Sequence, residues 1–267
     1  MQSASSKFFL RGLLVFIMAF SSLLVGCAET VAIRTAPPPL PYYEQPYCPG
    51  PGYIWVPGFW AFGQDGYYWV PGTWEYAPRA GWLWTPGYWG WSNGEYVWHQ
   101  GYWARDVGFY GGIDYGYGYS GDGYAGGYWR GNDFYYNSSV TNVNVTVVSN
   151  TYQASQSSSL AKKASGNTVS YNGGNGGTTS TPTTQQLAVA RQPHIAPTPL
   201  QRSHMLAAAT NRELLASQNH GMPGTELVAK RLSPVPSKTS KPIPKPKAKK
   251  KPVVPKEEQP KRVEEAK

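Results

Sequence analysis

The chain has 267 residues and a net charge of +9, and it is rich in Gly (30), Pro (24), Tyr (20) and Trp (11). Residues 1–229 hold 11 basic and 11 acidic side chains, whereas residues 230–267 hold 13 and 4, so the excess charge sits in the tail. The rest of the chain is therefore not a basic nucleic-acid binder. The composition also argues against one large globule.

The first 27 residues have the features of an export signal. The apolar run Gly12–Val25 follows Lys7 and Arg11 and is too short for a standard membrane span. It ends in Leu24-Val25-Gly26-Cys27, which resembles the bacterial lipobox. That resemblance implies lipid attachment at Cys27 and anchoring in the outer membrane. The alternative is ordinary cleavage after the small residues Gly26-Cys27-Ala28.

Cys48 is the second cysteine of the chain. With Cys27 lipidated, it has no partner within the chain, so it is either a free thiol or forms a disulfide with another molecule. It lies in the Pro-rich residues 28–52, which predict an extended spacer that lifts the next segment off the membrane.

A Trp-x-x-Gly-x-Trp motif recurs four times in residues 53–105, and the first tryptophans of the motifs are 14, 15 and 14 residues apart. Turn signals separate the copies, and Asn93-Gly94 is a strong hairpin marker. The pattern predicts a mainly β fold, with four strands of about ten residues in a small antiparallel meander.

The two tryptophans of one motif are five residues apart, so strict alternation would put them on opposite faces. A bulge at Pro-Gly returns the second tryptophan to the face of the first. The rival geometry is a type II turn at Pro-Gly, which matches strand twist poorly. The predicted bulge residues are Pro57, Gly58, Pro71, Gly72, Pro86, Gly87 and Gly101. The tryptophans of the resulting face are Trp55, Trp60, Trp69, Trp74, Trp82, Trp84, Trp89, Trp91, Trp98 and Trp103.

The remaining chain is irregular in composition. Residues 106–152 are Gly/Tyr-rich; we expect the glycines of Tyr115–Tyr119 to lie against the Trp face with the tyrosines pointing away, and a strand over Val140–Tyr152. Residues 153–197 predict a mostly disordered linker and 198–221 a helix, capped by Thr198 and stopped by Gly221. Residues 222–267 predict a disordered Lys/Pro-rich tail, either a solubilising end or a segment for anionic peptidoglycan and lipid phosphates.

The repeated GYxWxPGxW segments, GFYGG, FYYNSSVTNVNVT, VSYNGGNGG and QNHGMPG together resemble the bacterial WxxGxW-repeat (YXWGXW-repeat) lipoproteins, over about Leu24–Gly224. The resemblance implies an exported, envelope-associated protein without an established activity or assigned catalytic residues. We expect it to lie on the periplasmic side of the outer membrane. Gln100 departs from the pattern, because it replaces the repeat proline in the fourth copy, and this weakens the fourth bulge.

Signals of catalysis are poor. The four histidines lie on separate segments without metal-ligand spacing, and no Gly-x-Ser-x-Gly occurs. We therefore predict a non-enzymatic protein with no metal or cofactor. Two functions stay open: an envelope protein with a structural or interaction role, or a module that stacks Trp and Tyr on peptidoglycan or other envelope glycans. The sequence does not fix the oligomeric state.

Overall fold

The computed structural model describes residues 31–154 and 169–224 of the chain. Strands dominate, in small sheets that are mostly antiparallel, and the helices are few, which confirms the mainly β fold class. Within these residues, no helix is long and apolar enough to cross a membrane. The predicted signal segment with Cys27, the linker residues 155–168 and the tail from 225 onward lie outside the described residues.

Residues 53–76 form one long hairpin that is interrupted in the middle of both strands. Its strands are β2 (Tyr53–Val56), β3 (Phe59–Gly63), β4 (Gly66–Val70) and β5 (Thr73–Tyr76). They follow β1 (Ala32–Ile33) in the chain. β2 pairs with β5, and β3 pairs with β4 around a two-residue turn at Gln64-Asp65.

Residues 83–104 repeat this arrangement. The strands are β6 (Leu83–Thr85), β7 (Tyr88–Ser92), β8 (Glu95–His99) and β9 (Tyr102–Ala104). β6 pairs with β9, and β7 pairs with β8. Asn93 and Gly94 connect β7 to β8 with φ of 51° and 86°, as a type I′ turn requires. The hairpin predicted at this dipeptide is confirmed.

The predicted bulge takes the form of a matched interruption. In the first hairpin, Trp55 pairs with Trp74 and Trp60 with Trp69, so five residue steps separate the two pairs on each strand. Pro57-Gly58 and Pro71-Gly72 therefore face each other, and neither strand gains a residue over its partner. An ordinary bulge places its extra residue on one strand only.

The sequence predicts four strands in one meander, whereas the structure pairs them two by two. No ladder joins β5 to β6 among the described residues. The connection between them contains Pro78, which has no N–H to donate, and is longer than a tight hairpin turn. Instead, each outer edge of the β7–β8 pair meets another strand. β1 pairs with β8 in the antiparallel direction, and β15 (Tyr171–Asn172) pairs with β7 in the parallel direction.

Residues 31–50 form a strap along the hairpins instead of the predicted free spacer. Leu40, Tyr43 and Cys48 are buried in the core, and the Cys48 backbone N–H donates to Asn142 O at 2.9 Å. The strap packs because it carries apolar side chains, among them Leu40 and Tyr43, that have a surface to cover. The carbonyl groups of its prolines are not paired with a neighbouring strand, and they accept hydrogen bonds from side chains of the hairpins.

Residues 106–154 wrap the hairpins with short strands. These are β10 (Asp114–Gly116), β11 (Tyr119–Ser120), β12 (Gly127–Arg130), β13 (Asp133–Asn137) and β14 (Thr151–Tyr152). The strand predicted over Val140–Tyr152 is wrong except for its last two residues. Asn144 Oδ1 accepts from the Thr146 backbone N–H at 3.0 Å, and such local bonds compete with a ladder.

Three α-helices follow in the described residues: α1 (Thr184–Arg191), α2 (Pro199–Thr210) and α3 (Ala216–Asn219). α2 begins at the predicted cap, Thr198, whose hydroxyl accepts from the Gln201 N–H. The predicted single helix ends early because the Asn211 side chain accepts from the Glu213 N–H and starts a separate 3₁₀ turn. α1 lies in the segment predicted as a linker, and Thr183 and Gln186 form its capping box.

Candidate functional site

The first tryptophan of each motif lies over the glycine of the facing motif. A β-carbon at Gly72 would lie 2.5 Å from the Trp55 ring, and one at Gly87 would lie 2.5 Å from Trp98. The same relation joins Trp69 to Gly58 and Trp84 to Gly101. These distances are too short for a β-carbon, so each motif needs glycine at this position to make room for the facing tryptophan ring.

The second tryptophan of each motif pairs with the first tryptophan of the facing strand. The ring centroids lie 5.4 Å apart in Trp55–Trp74 and in Trp60–Trp69. They lie 5.3 Å apart in Trp84–Trp103 and in Trp89–Trp98. The spacing Trp-x-x-Gly-x-Trp thus supplies a ring, the gap for the facing ring, and a cross-strand partner.

The second tryptophans also tie the hairpins to the rest of the chain through their indole N–H groups. Trp60 donates to Pro39 O at 2.9 Å, and Trp74 donates to Pro46 O at 2.8 Å, both in the strap. Trp89 donates to Trp60 O at 2.8 Å, which joins the two hairpins. Trp103 donates to Gln201 Oε1 on α2 at 2.9 Å.

The tyrosines of 115–119 point inward, contrary to the prediction. The Tyr115 hydroxyl donates to Gly87 O at 2.7 Å, and the Tyr119 hydroxyl donates to Trp84 O at 2.9 Å. Gly116, Tyr117 and Gly118 have positive φ, so the backbone curls and the alternation of an extended strand is lost. Burial raises the pKa of Tyr115 and of Tyr119 well above 10, so both side chains stay neutral.

The candidate face is therefore mostly covered by the chain itself. Of the ten predicted tryptophans, all are buried except Trp98, which is half-buried, and Trp91, which is 40 % exposed near the turn of the second hairpin. Trp82 is buried at the base of that hairpin, with the Arg79 guanidinium 5.4 Å from its ring centroid. Trp91 leaves one small aromatic patch open.

A cavity of about 250 Å³ lies where the Pro-Gly interruptions meet the start of α2. Pro57, Pro71 and Pro86 line it together with the ring of Trp98. Gln100, the residue that departs from the repeat, also lines the cavity, and its Oε1 accepts from Trp98 Nε1 at 3.3 Å. Sequence reasoning missed this cavity because it depends on how two hairpins and a helix meet.

No cluster of three or more His, Cys, Asp and Glu that could hold a metal occurs in residues 31–154 and 169–224. His99 stacks on Tyr88, and burial lowers the pKa of its imidazole. Cys48 is a buried free thiol that donates to Gly50 O at 3.1 Å, and burial raises its pKa. A buried, protonated thiol is inert.

Residues 50–75 and 79–104 match the WXXGXW repeat family as two copies. The chain therefore carries this repeat, as the sequence predicts, and each matched copy coincides with one interrupted hairpin and contains two Trp-x-x-Gly-x-Trp motifs. Neither the comparison with curated proteins nor that with solved structures gives a match. The repeat unit is thus the whole hairpin, and the single motif is half of it.

Proposed function

We propose that this chain is a lipid-anchored protein of the bacterial cell envelope with a structural or interaction role. In this proposal, the repeat module is a self-covered scaffold on the periplasmic side of the outer membrane, without catalytic activity. The anchor is proposed from Leu24-Val25-Gly26-Cys27, which precedes the described residues.

The scaffold role rests on the way the tryptophans are used. A stacking platform for sugars needs exposed rings with nearby polar groups. Here most of the rings are buried against each other. In each motif, the indole N–H of the second tryptophan donates to an oxygen atom of the chain itself. Aromatic pairs contribute roughly 0.5–1.5 kcal/mol each beyond the burial of area, which suits small sheets without disulfides.

Cell fractionation tests the anchor. We expect the wild-type chain to sediment with the outer membrane and a Cys27→Ser variant to be lost from the outer-membrane fraction, because the lipid can no longer be attached. Cys48→Ser is the matched control and should stay with the membrane. Recovery of Cys27→Ser in the outer-membrane fraction at the wild-type level would contradict lipid anchoring.

Tryptophan fluorescence tests the scaffold against glycan stacking. A buried set of indoles should emit at short wavelength, resist quenching by iodide and show no shift when peptidoglycan fragments or oligosaccharides are added. A saturable shift that disappears in Trp91→Ala would instead support stacking at the exposed ring. This measurement does not depend on the lipid anchor.

A further inference from the structure

The cavity between the two hairpins and α2 combines an apolar wall with a few polar groups, as small-molecule sites usually do. Its volume is about 250 Å³, and an apolar cavity of about 150 Å³ is enough for benzene. The apolar wall consists mainly of three repeat prolines and one indole ring: Pro57, Pro71, Pro86 and Trp98. The cavity therefore has room for an apolar group of one ring, and its polar groups decide what else a ligand must carry.

Gln201, on α2, holds an amide N–H group that has no acceptor. The residue is only 8 % exposed, and its Oε1 accepts from Trp103 Nε1 at 2.9 Å and from the Thr198 backbone N–H at 2.8 Å. Both partners can only donate, so they fix the orientation of the amide and leave Nε2 as the free end. Nε2 forms no hydrogen bond within the described residues and stays accessible. Because Gln201 lines the cavity, a ligand inside it is placed to accept from this group.

The indole N–H of Trp84 is a second donor without an acceptor, and the repeat explains why. In the fourth copy, Trp98 Nε1 donates to the side chain of Gln100, two residues further along the chain. The residue two positions after Trp84 is Pro86, which has no side-chain acceptor. Trp84 Nε1 forms no hydrogen bond within the described part of the chain, and it stays accessible although the residue is buried. Trp84 also lines the cavity.

The other polar groups of the cavity are mostly donors as well, and the one charged side chain among them is positive. Arg202 is exposed at the rim and uses one of its several N–H groups on a backbone carbonyl. The Gln100 Oε1 already accepts from an indole, which leaves its amide N–H groups. His204 Nε2 lies 2.8 Å from Pro71 O, so this carbonyl is engaged. Among the described residues, no Asp, Glu or Lys lines the cavity.

We propose that this cavity binds a small apolar monocarboxylate, in which one ring or a short acyl chain ends in a carboxylate. An ionised carboxylate offers only acceptors, so it pairs with the donors Gln201 Nε2 and Trp84 Nε1, and the charge of Arg202 balances its own. The apolar body packs against the prolines and Trp98. A sugar would bring many hydroxyl donors to groups that are themselves donors, and a cation would meet Arg202 without a counter-ion. This binding does not depend on the proposed lipid anchor.

Hydrocinnamate and hydrocinnamamide are suitable probes because they are nearly equal in size and differ in the charge at one end. Titration calorimetry on the full chain should give saturable binding of hydrocinnamate. Hydrocinnamamide should bind about tenfold more weakly, because it has no charge and brings N–H donors of its own. Added salt should weaken the binding of hydrocinnamate more than that of the amide, because salt screens the interaction with the exposed Arg202.

Gln201→Glu tests the buried donor and keeps the bonds that hold the start of α2. Glutamate retains an oxygen for Trp103 and for the Thr198 backbone N–H, and it suits this position of a capping box as well as glutamine does. It replaces Nε2 by an oxygen that carries negative charge. Binding of hydrocinnamate should therefore be lost, whereas hydrocinnamamide, which can donate, should still bind.

Arg202→Gln tests the charge at the rim. It should weaken the binding of hydrocinnamate about tenfold, as expected for one lost charge-assisted hydrogen bond, and leave hydrocinnamamide unchanged. Arg191→Gln is the matched control, because it removes the same charge from an exposed residue that does not line the cavity. It should bind both probes like the wild type.

Four results would overturn the proposal. They are no saturable binding of hydrocinnamate, equal affinity for the acid and the amide, wild-type binding of hydrocinnamate in Gln201→Glu, and equal effects of Arg202→Gln and Arg191→Gln. Near-ultraviolet circular dichroism checks that each variant is folded. If Gln201→Glu does not fold, the two arginine variants still decide the question, because both change exposed side chains.

Discussion

The close approach of the two strands at their Pro-Gly interruptions makes a sharp stability prediction for Gly58→Ala. The new β-carbon would lie 2.9 Å from the backbone N of Gly72, and it would also overlap the ring of Trp69. Trp69 is 0 % exposed, so neither neighbour can move away freely. The backbone of Gly58 is not in the left-handed region, so the whole cost comes from overlap.

Forced overpacking of a core costs typically about 1–3 kcal/mol, and two fixed neighbours place Gly58→Ala at the upper end, at about 3 kcal/mol. For a domain of this size, each kcal/mol lowers the melting temperature by roughly 2–4 °C. The expected loss is therefore roughly 6–12 °C. Thermal unfolding followed by tryptophan fluorescence measures it directly.

Gly50→Ala is the matched control, because the nearest heavy atom to its added carbon is 4.0 Å away. It should melt near the wild-type temperature. Gly72→Ala should cost as much as Gly58→Ala, and the double variant should cost less than the sum, because both changes open the same contact. The reasoning is refuted if Gly58→Ala melts within about 2 °C of the control.

Three other predictions follow from the site. Trp103→Phe removes the donor to Gln201 and should destabilise the fold by about 1–3 kcal/mol in chemical denaturation, whereas Trp91→Phe, at an exposed ring, should change it little. Burial raises the pKa of Tyr115 and of Tyr119, so as the pH rises above 10 these side chains lose their protons first in the unfolded state. The free energy of unfolding, measured by denaturant titration, should therefore fall steeply above pH 10. A free energy of unfolding that stays constant above pH 10 would contradict the burial of these side chains. Cys48 should react with a thiol reagent only after denaturation, so rapid labelling of the native chain would disagree with its position.

Local patterns predicted the strands of the repeats and the turn at Asn93-Gly94. The aromatic periodicity and Asn93-Gly94 are signals carried by neighbouring residues, so the hairpins and the Pro-Gly interruptions could be located before the structure. The capping box at Thr183 and Gln186 is also local, and attention to it would have found α1.

The rest depends on contacts between distant segments. The sequence indicates that Trp60 and Trp74 share a face, but only the fold shows that the carbonyls of Pro39 and Pro46 receive their indole N–H groups. A Pro-rich segment is equally suited to a free spacer and to a strap, since the difference lies in whether a surface accepts it. The inward direction of the Tyr115 side chain likewise follows from the curled backbone of residues 116–118. The alternation of Gly and Tyr in the sequence does not reveal this curl.

The position of β1 has a consequence for the proposed anchor. Ala32 is already paired with Val97 of the second hairpin, and only five residue steps separate it from Cys27. Even fully extended, five residues span no more than about 18 Å. A lipid on Cys27 would therefore hold the edge of β8 close to the lipid headgroups. The hairpins would then lie next to the bilayer surface and could not extend far from it.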